Sequence, residues 1–358
     1  YFQNIRLMGL TTIYCDTTEI CKWLNAEIIS DPLRSVDLHE TVVMEDGTCK
    51  RRIESIIDGV IHKDDDKNEE LKQYIRTNST RNIQNENRIV RKQNLMFNIL
   101  RYELQQYKEA KIIIFTQSKK ETDKLAKLIC ESRIFERQQL EPNLVGELAR
   151  QDDDEIIRKL REEYFPYRVA YHNSSLPKGI RQLIENEFQN GSIQLIVATE
   201  TLAIGLNLPA DIIVMYETKV NREGKITEIL PHEYKNYVGR AGRLGISTKI
   251  GKSYLLASNN GEISHFWDYY VSAKKMLISS AFSKLEIERK APYYLNILTD
   301  KGSGKDTITD SELRKFIQNS FGEKRSIDNK NIKEILNLLT KNKLTEKEFL
   351  DEEFFYEK

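Results

Sequence analysis

Two arginines, Arg240 and Arg243, close the stretch Glu233-Tyr234-Lys235-Asn236-Tyr237-Val238-Gly239-Arg240-Ala241-Gly242-Arg243, and a glycine precedes each of them. Residues three apart share a helix face, and a guanidinium fork matches phosphate. The spacing therefore predicts both side chains projecting from one helix face toward a phosphate. A solvated basic helix start would carry the same short pattern. Upstream lie two apolar runs, Leu195-Ile196-Val197-Ala198 and Ile212-Ile213-Val214-Met215, the first passing directly into Thr199-Glu200-Thr201. Short apolar runs that end in small and hydroxyl residues read as buried parallel strands with functional loops at their carboxyl ends.

Further elements must position these residues. Lys111-Ile112-Ile113-Ile114-Phe115-Thr116-Gln117-Ser118 reads as another buried strand, and Ser118 with Glu121 forms a capping box that opens a helix through Lys124 to Cys130. Arg168-Val169-Ala170-Tyr171-His172-Asn173 is a third strand, followed by a helix from near Pro177. Alternation on both sides of Asn221-Arg222-Glu223-Gly224 predicts a β-hairpin. Alternation from Val36 to Ile61 around Glu45-Asp46-Gly47 predicts a second one. The polar segment from His62 to Asn87 reads as a mobile loop with some helix, and its run Asp64-Asp65-Asp66 as a solvated face. Leu95, Ile99, Leu100 and Leu104 keep helical spacing, and residues 131 to 165 read as charged and mostly helical. The strand–helix repetition through residue 257 fits a doubly wound parallel sheet. Beyond it, helical periodicity dominates from Ala273 to Phe282, Ala291 to Leu298, Asp310 to Phe321 and Asn329 to Leu344.

Composition narrows the class. The 358 residues suffice for two domains and part of a third. Lys plus Arg and Asp plus Glu number 55 each, so a nucleic-acid surface would have to be a local patch. No apolar run reaches the length of a membrane span, which argues against a membrane partner. Cys15, Cys21, Cys49 and Cys130 lack metal-ligand spacing and read as reduced thiols of an intracellular protein.

The wording Ala198-Thr199-Glu200-Thr201-Leu202-Ala203-Ile204-Gly205-Leu206-Asn207-Leu208-Pro209-Ala210, followed at distance by the double arginine, resembles motifs V and VI of superfamily 2 helicases. Within that superfamily it is most similar to the Ski2-like, Hel308-like branch. Gly9-Leu10-Thr11-Thr12-Ile13 and the helix Thr17 to Ala26 look like motif III and its sequel, with Ile13 where threonine is usual. Lys111 to Ser118 looks like motif IV. His172 matches the first of two family histidines, Asn173 replaces the second, and Asn236 stands where a glutamine is usual.

The resemblance implies an α/β fold: a RecA-like doubly wound parallel sheet followed by a mostly helical winged-helix domain. Residues 1–35 would be the tail of RecA-like domain 1, residues 36–258 RecA-like domain 2, and residues 259–358 the winged helix. It implies an ATP-dependent 3′–5′ helicase in which Arg240 and Arg243 reach the γ-phosphate. Gly205, Asn207 and Asn236 would stand with them at the nucleotide. Thr116, Ser118, His172, Thr199, Thr201 and Arg222 would contact single-stranded or partly duplex DNA or RNA. A satisfied core histidine is an equal reading of His172, and an inert surface loop is the rival reading of the hairpin at Arg222. ATP and Mg2+ would serve the full-length protein together with the upstream RecA-like domain 1. Gly245 to Ser253 and Gly302 to Asp306 lack the spacing of a phosphate-binding loop, and no Asp-Glu-x-His occurs. Those parts are expected upstream of residue 1, and residues 1–358 alone are expected not to hydrolyse ATP. A helicase-like scaffold without turnover remains the rival from another class.

Overall fold

A computed structural model describes residues 15–16, 18–27, 36–57, 60–79, 87–140, 144, 146, 148, 155–199, 202, 208–222, 225–242, 250–272, 276–277 and 315. Two compact units divide the chain, one running from Asp31 to Met276 and the other including Cys15–Ser30. In the smaller unit, Thr18–Leu24 forms a seven-residue helix with Trp23 and Leu24 half exposed. The expected motif III strand and most of the segments read as helical beyond residue 272 lie outside the described residues.

The larger unit is built on one eight-stranded sheet. In chain order its strands are β1 (Asp37–Val43), β2 (Cys49–Ile57), β3 (Val60–Asp66), β4 (Ile112–Phe115), β5 (Val169–His172), β6 (Leu195–Ala198), β7 (Ile212–Met215) and, after a separate hairpin, β10 (Ile250–Leu256). The hairpin is β8 (Lys219–Arg222) with β9 (Lys225–Glu228), antiparallel, Arg222 opposite Lys225. The sheet order is β3-β2-β1-β10-β7-β4-β6-β5, parallel from β1 to β5 and antiparallel only at β2 and β3. Every residue of β4, β5, β6 and β7 is buried, as strands covered on both faces require. Each fully buried Ile or Leu there contributes about 1.5–3 kcal/mol.

Helices α1 (Glu69–Asn78), α2 (Arg88–Gln106), α3 (Lys119–Glu131), α4 (Glu155–Lys159), α5 (Lys178–Asn190), α6 (Pro231–Val238) and α7 (Asn260–Phe266) accompany the sheet. Ser118 caps α3 by accepting from the Glu121 amide at 3.2 Å. Helix α5 buries Ile180, Leu183, Ile184 and Phe188, the spacing of one helical stripe, and ends on Gly191 at φ 90°. Helix α2 carries the buried Glu103, whose carboxylate accepts from Lys252 at 2.7 Å and from the Tyr254 hydroxyl, tying α2 to β10.

Three expectations are corrected. The segment from His62 is not a loop: Val60–Asp66 is an edge strand and Glu69–Asn78 a helix. Asp65 and Asp66 stand directly opposite Arg52 and Arg51 in the β2–β3 register and form ion pairs with them. The acidic run thus gains cross-strand partners that are remote in sequence. Between α3 and α4, residues 132–140 follow an irregular path with Arg133 at φ 53°, not a helix. Finally, Met276–Leu277 is a short strand and not part of the helix expected from Ala273 to Phe282.

Candidate functional site

The carboxyl ends of the central strands form one edge. Backbone bonds carry the sheet past its last regular residues: Thr116 N to Ala198 O at 2.9 Å, Thr199 N to His172 O at 3.2 Å and Tyr216 N to Phe115 O at 2.9 Å. They align Thr116, Thr199 and His172. The order of strand addition switches sides at β4, whose parallel neighbours are β6 on one side and β7 on the other, so this edge includes the switch point where open α/β sheets bind ligands. Thr116 is 4 % exposed and Thr199 7 %. The Thr116 hydroxyl has no hydrogen-bond partner among the described residues. Ser118, two residues on, is exposed at the amino end of α3, where a helix favours anions.

His172 turns inward. It is 1 % exposed, and its Nε2 lies 2.8 Å from Glu185 Oε1 on α5. Burial pushes its ring below the ordinary 6.5 and outweighs the opposing pull of Glu185. Of the two readings of this residue, its burial and its pairing with Glu185 favour the core histidine, on an apolar strand covered on both faces. Its neighbour Asn173 was not singled out as a site residue. Asn173 Nδ2 donates to Thr122 Oγ1 at 2.8 Å and to Lys119 O at 3.3 Å, while its Oδ1 accepts from the Ser175 amide at 2.9 Å. It therefore locks the loop after β5 to the first turn of α3. The signal that could have found it was its position in place of the second family histidine.

Beside this edge, Lys92 of α2 reaches Glu217 at 2.7 Å and lies over the Tyr216 ring at 4.9 Å. Burial, then the nearby Glu217, raises the Glu121 carboxyl above its ordinary value.

The double-arginine stretch lies at the other end of the sheet. Helix α6 runs back from the hairpin, with Leu230 N donating to Glu233 Oε2 at 2.6 Å at its start. Tyr237 packs on Phe115 with ring centroids 4.6 Å apart, and the buried Glu40 of β1 holds Lys235 at 2.9 Å. After Val238 the chain turns, and Ala210, just before β7, bonds to both sides of the turn: its amide to Arg240 O at 3.1 Å and its carbonyl to the Gly242 amide at 2.8 Å. Gly242 has φ +71°, and a Cβ there would meet Gly251 N at 2.7 Å and Val36 Cγ2 at 2.6 Å. A Cβ on Gly251 would in turn lie 2.3 Å from Ala241 O. Backbone lies on backbone, so only glycine fits at these two positions. The helix ends before Arg240 and Gly242 follows in a left-handed conformation, so Arg240 projects from the turn and not from the helix face expected for it.

Arg240, in the turn after α6, is half-buried, and Asn236, in the last turn of α6, is exposed. A guanidinium and a side-chain amide are donors suited to a nucleotide phosphate, and in this sense the residue types fit ATP. Among the described residues no group of three His, Cys, Asp or Glu side chains is placed to hold a metal ion. Thr201, Gly205, Asn207 and Arg243 lie outside the described residues, as does the side chain of Arg222. No described helix is long and apolar enough to cross a membrane.

A mostly parallel, doubly wound sheet with hydroxyls at its carboxyl edge and a glycine-locked arginine turn defines a RecA-like helicase domain. Residues 92–245 match the helicase conserved C-terminal domain. The ATP-dependent DNA helicase Hel308 of Caldivirga maquilingensis is 26 % identical over 89 % of this chain and 38 % of its own length. The Pyrobaculum calidifontis Hel308 is 32 % identical over 44 % of this chain and 23 % of its own. The DExH-box ATP-dependent RNA helicase DExH12 of Arabidopsis thaliana is 31 % identical over 37 % of this chain and 6 % of its own. Residues 92–245 are thus a helicase C-terminal domain, and the chain is similar to the C-terminal portion of Ski2-like superfamily 2 helicases. It spans well under half the length of these relatives.

Proposed function

We propose that the chain serves an ATP-dependent 3′–5′ DNA helicase by presenting arginine fingers from one end of its sheet and strand-tracking loops from the other. The observation that carries this reading is the double seal of the arginine turn, by backbone bonds to Ala210 and by the close approach of Gly242 to Gly251. A finger must hold its charge in place before the reaction, and a turn fixed to two central strands does so without reorganisation.

Bound ATP supplies the phosphoryl chemistry together with Mg2+ held by the upstream RecA-like domain. In this chain, Arg240 and Arg243 neutralise negative charge developing on the γ-phosphoryl group, Asn236 and Asn207 orient the nucleotide, and Gly205 admits the backbone close to it. Thr116, Ser118, Thr199 and Thr201 hold phosphates of the tracked strand, and the β8–β9 hairpin with Arg222 splits the duplex. DNA is the favoured substrate, since the relative matched along 89 % of this chain is named a DNA helicase, whereas the RNA helicase matches 37 %.

The test uses the full-length protein. Arg243→Ala should lower nucleic-acid-stimulated ATP hydrolysis by about 10³-fold or more while leaving nucleic-acid affinity nearly unchanged. Turnover within a few-fold of normal would remove Arg243 from the finger role, whereas an unsubstituted full-length protein that hydrolyses no ATP would favour the scaffold without turnover.

A further inference from the structure

One short segment after the sheet touches both moving parts of the proposed machine. Helix α7 leads into a π-helical turn, Trp267–Val271, so residues 265 to 271 make a compact aromatic block. His265 Nε2 lies 2.8 Å from Glu228 Oε2, at the end of hairpin strand β9. The Tyr270 hydroxyl donates to Ile229 O at 3.0 Å, one residue further along the hairpin's exit. Ile229 N donates to Thr218 O at 2.8 Å, closing the hairpin's base.

The same block grips the arginine helix. The fully buried Tyr270 ring packs against Tyr234 of α6 at 5.1 Å between centroids. Val271 O accepts from Lys235 of α6 at 3.3 Å and from Arg52 of β2 at 3.0 Å. Inside the block, His265 stacks on Tyr269 at 5.2 Å with the rings 15° from parallel, and Tyr269 meets Tyr270 edge-on at 5.0 Å. Arg52 also lies over the Trp267 ring at 5.1 Å. The hairpin itself is thinly supported: Val220 is buried, but Lys225, Ile226 and Thr227 are exposed, Ile226 by 67 %. A two-stranded hairpin alone is marginally stable in water, so its stiffness must come from what holds its base.

We infer that residues His265 to Val271 are a strut joining the β8–β9 hairpin to α6, with His265 and Tyr270 as positioning residues for strand separation. The inference rests on the hairpin being the strand-splitting element. Displacement of the arginine helix then reaches the hairpin through Tyr270, and recoil from the duplex is carried by the Glu228–His265 pair into α7 instead of bending the hairpin. Neither residue lies at the hydroxyl edge or on the arginine turn, so the strut should govern unwinding and leave single-strand tracking alone.

The experiment compares variants of the full-length protein in two assays, unwinding of a forked DNA duplex and ATP hydrolysis stimulated by single-stranded DNA. His265→Ala with Tyr270→Phe removes two hydrogen bonds but keeps the Tyr270 ring. It should slow unwinding by roughly tenfold and leave ATP hydrolysis within about twofold. His265→Gln restores a donor toward Glu228 and, paired with wild-type Tyr270, should recover most of the unwinding. Equal loss in both assays would overturn the inference, since the block would then merely support the domain. Unchanged unwinding would also overturn it. Shortening the hairpin between Asn221 and Lys225 separates the two readings. If that deletion abolishes unwinding while the strut variants do not, the hairpin role stands and the strut falls. If the deletion leaves unwinding intact, the hairpin role falls and takes the strut with it.

Discussion

The two ends of the central sheet are finished in opposite ways. At the amino ends of β7 and β10, the arginine turn is sealed against the strands by Ala210, Gly242 and Gly251, with no room for a methyl group. At the carboxyl ends, strands close on hydroxyl residues, and the Thr116 hydroxyl lies beneath the surface without a partner among the described residues. One end is closed by backbone lying on backbone, and the other carries a buried hydroxyl with capacity left over. Buried polar groups are normally paired, so such an exception marks where a ligand or ordered water is expected. The contrast matches a rigid mount for a catalytic charge at one end and a surface for a sliding strand at the other.

The largest effect should come from breaking the sealed end. In Gly251→Ala the new Cβ would lie 2.3 Å from Ala241 O and 2.8 Å from Gly242 N, both backbone atoms that cannot rotate away. The turn must move off β10, at a cost of about 1–3 kcal/mol or more. Chemical denaturation would register this as an earlier midpoint. A variant as stable as the parent would show that the turn is loosely held and would remove the contrast.

The open end calls for a pair of substitutions. Ser118→Ala deletes the cap on α3 and should cost about 1 kcal/mol. Thr116→Val keeps the shape, so stability should change by no more than about 0.5 kcal/mol, whereas affinity for single-stranded DNA should fall by roughly fivefold. A Thr116→Val protein destabilised as much as Ser118→Ala would mean that the hydroxyl already has an internal partner. The carboxyl edge would then be as closed as the other.

How much of this was legible follows from what each element depends on. Strands β4, β6 and β7 are runs of four apolar residues whose only stable place is a sheet covered on both sides, and local composition announces them. The capping box at Ser118 was equally local. Strand β3 was not, because Lys63-Asp64-Asp65-Asp66 has no apolar alternation of its own and finds its partners Arg51 and Arg52 only in the register of the β2–β3 hairpin. The geometry at Arg240 was not legible either. The turn at Gly242 depends on Gly251 across the sheet, so helical spacing suggested a shared face where the chain has already left the helix. His172 shows the same limit: its type and neighbours fitted a ligand contact and a core pair equally, and only the approach of Glu185 from α5 decides between them.

That histidine gives the smallest prediction, and it concerns the interior of the open end. His172 lies behind Thr199, with Glu185 against its Nε2 and Arg181 of the same helix adding a repulsive charge. Burial holds the ring's pKa below the 6.5 it has in the unfolded chain. The sign then follows from linkage. Between the folded value and 6.5 the unfolded chain binds a proton that the folded one resists, so this contribution is complete above pH 6.5 and is lost as pH falls below it. His39, whose pKa is also lowered, chiefly by burial, adds in the same direction. Unfolding free energy measured from pH 7.5 downward should therefore decline below about pH 6.5, and His172→Gln should flatten that decline without abolishing it. The opposite slope, with stability rising on acidification through the same range, would mean that Glu185 wins over burial and that His172 is charged in the folded protein. The carboxyl edge would then carry a buried cation beside Thr199, and its attraction for a phosphate strand would rest on charge instead of on its hydroxyls.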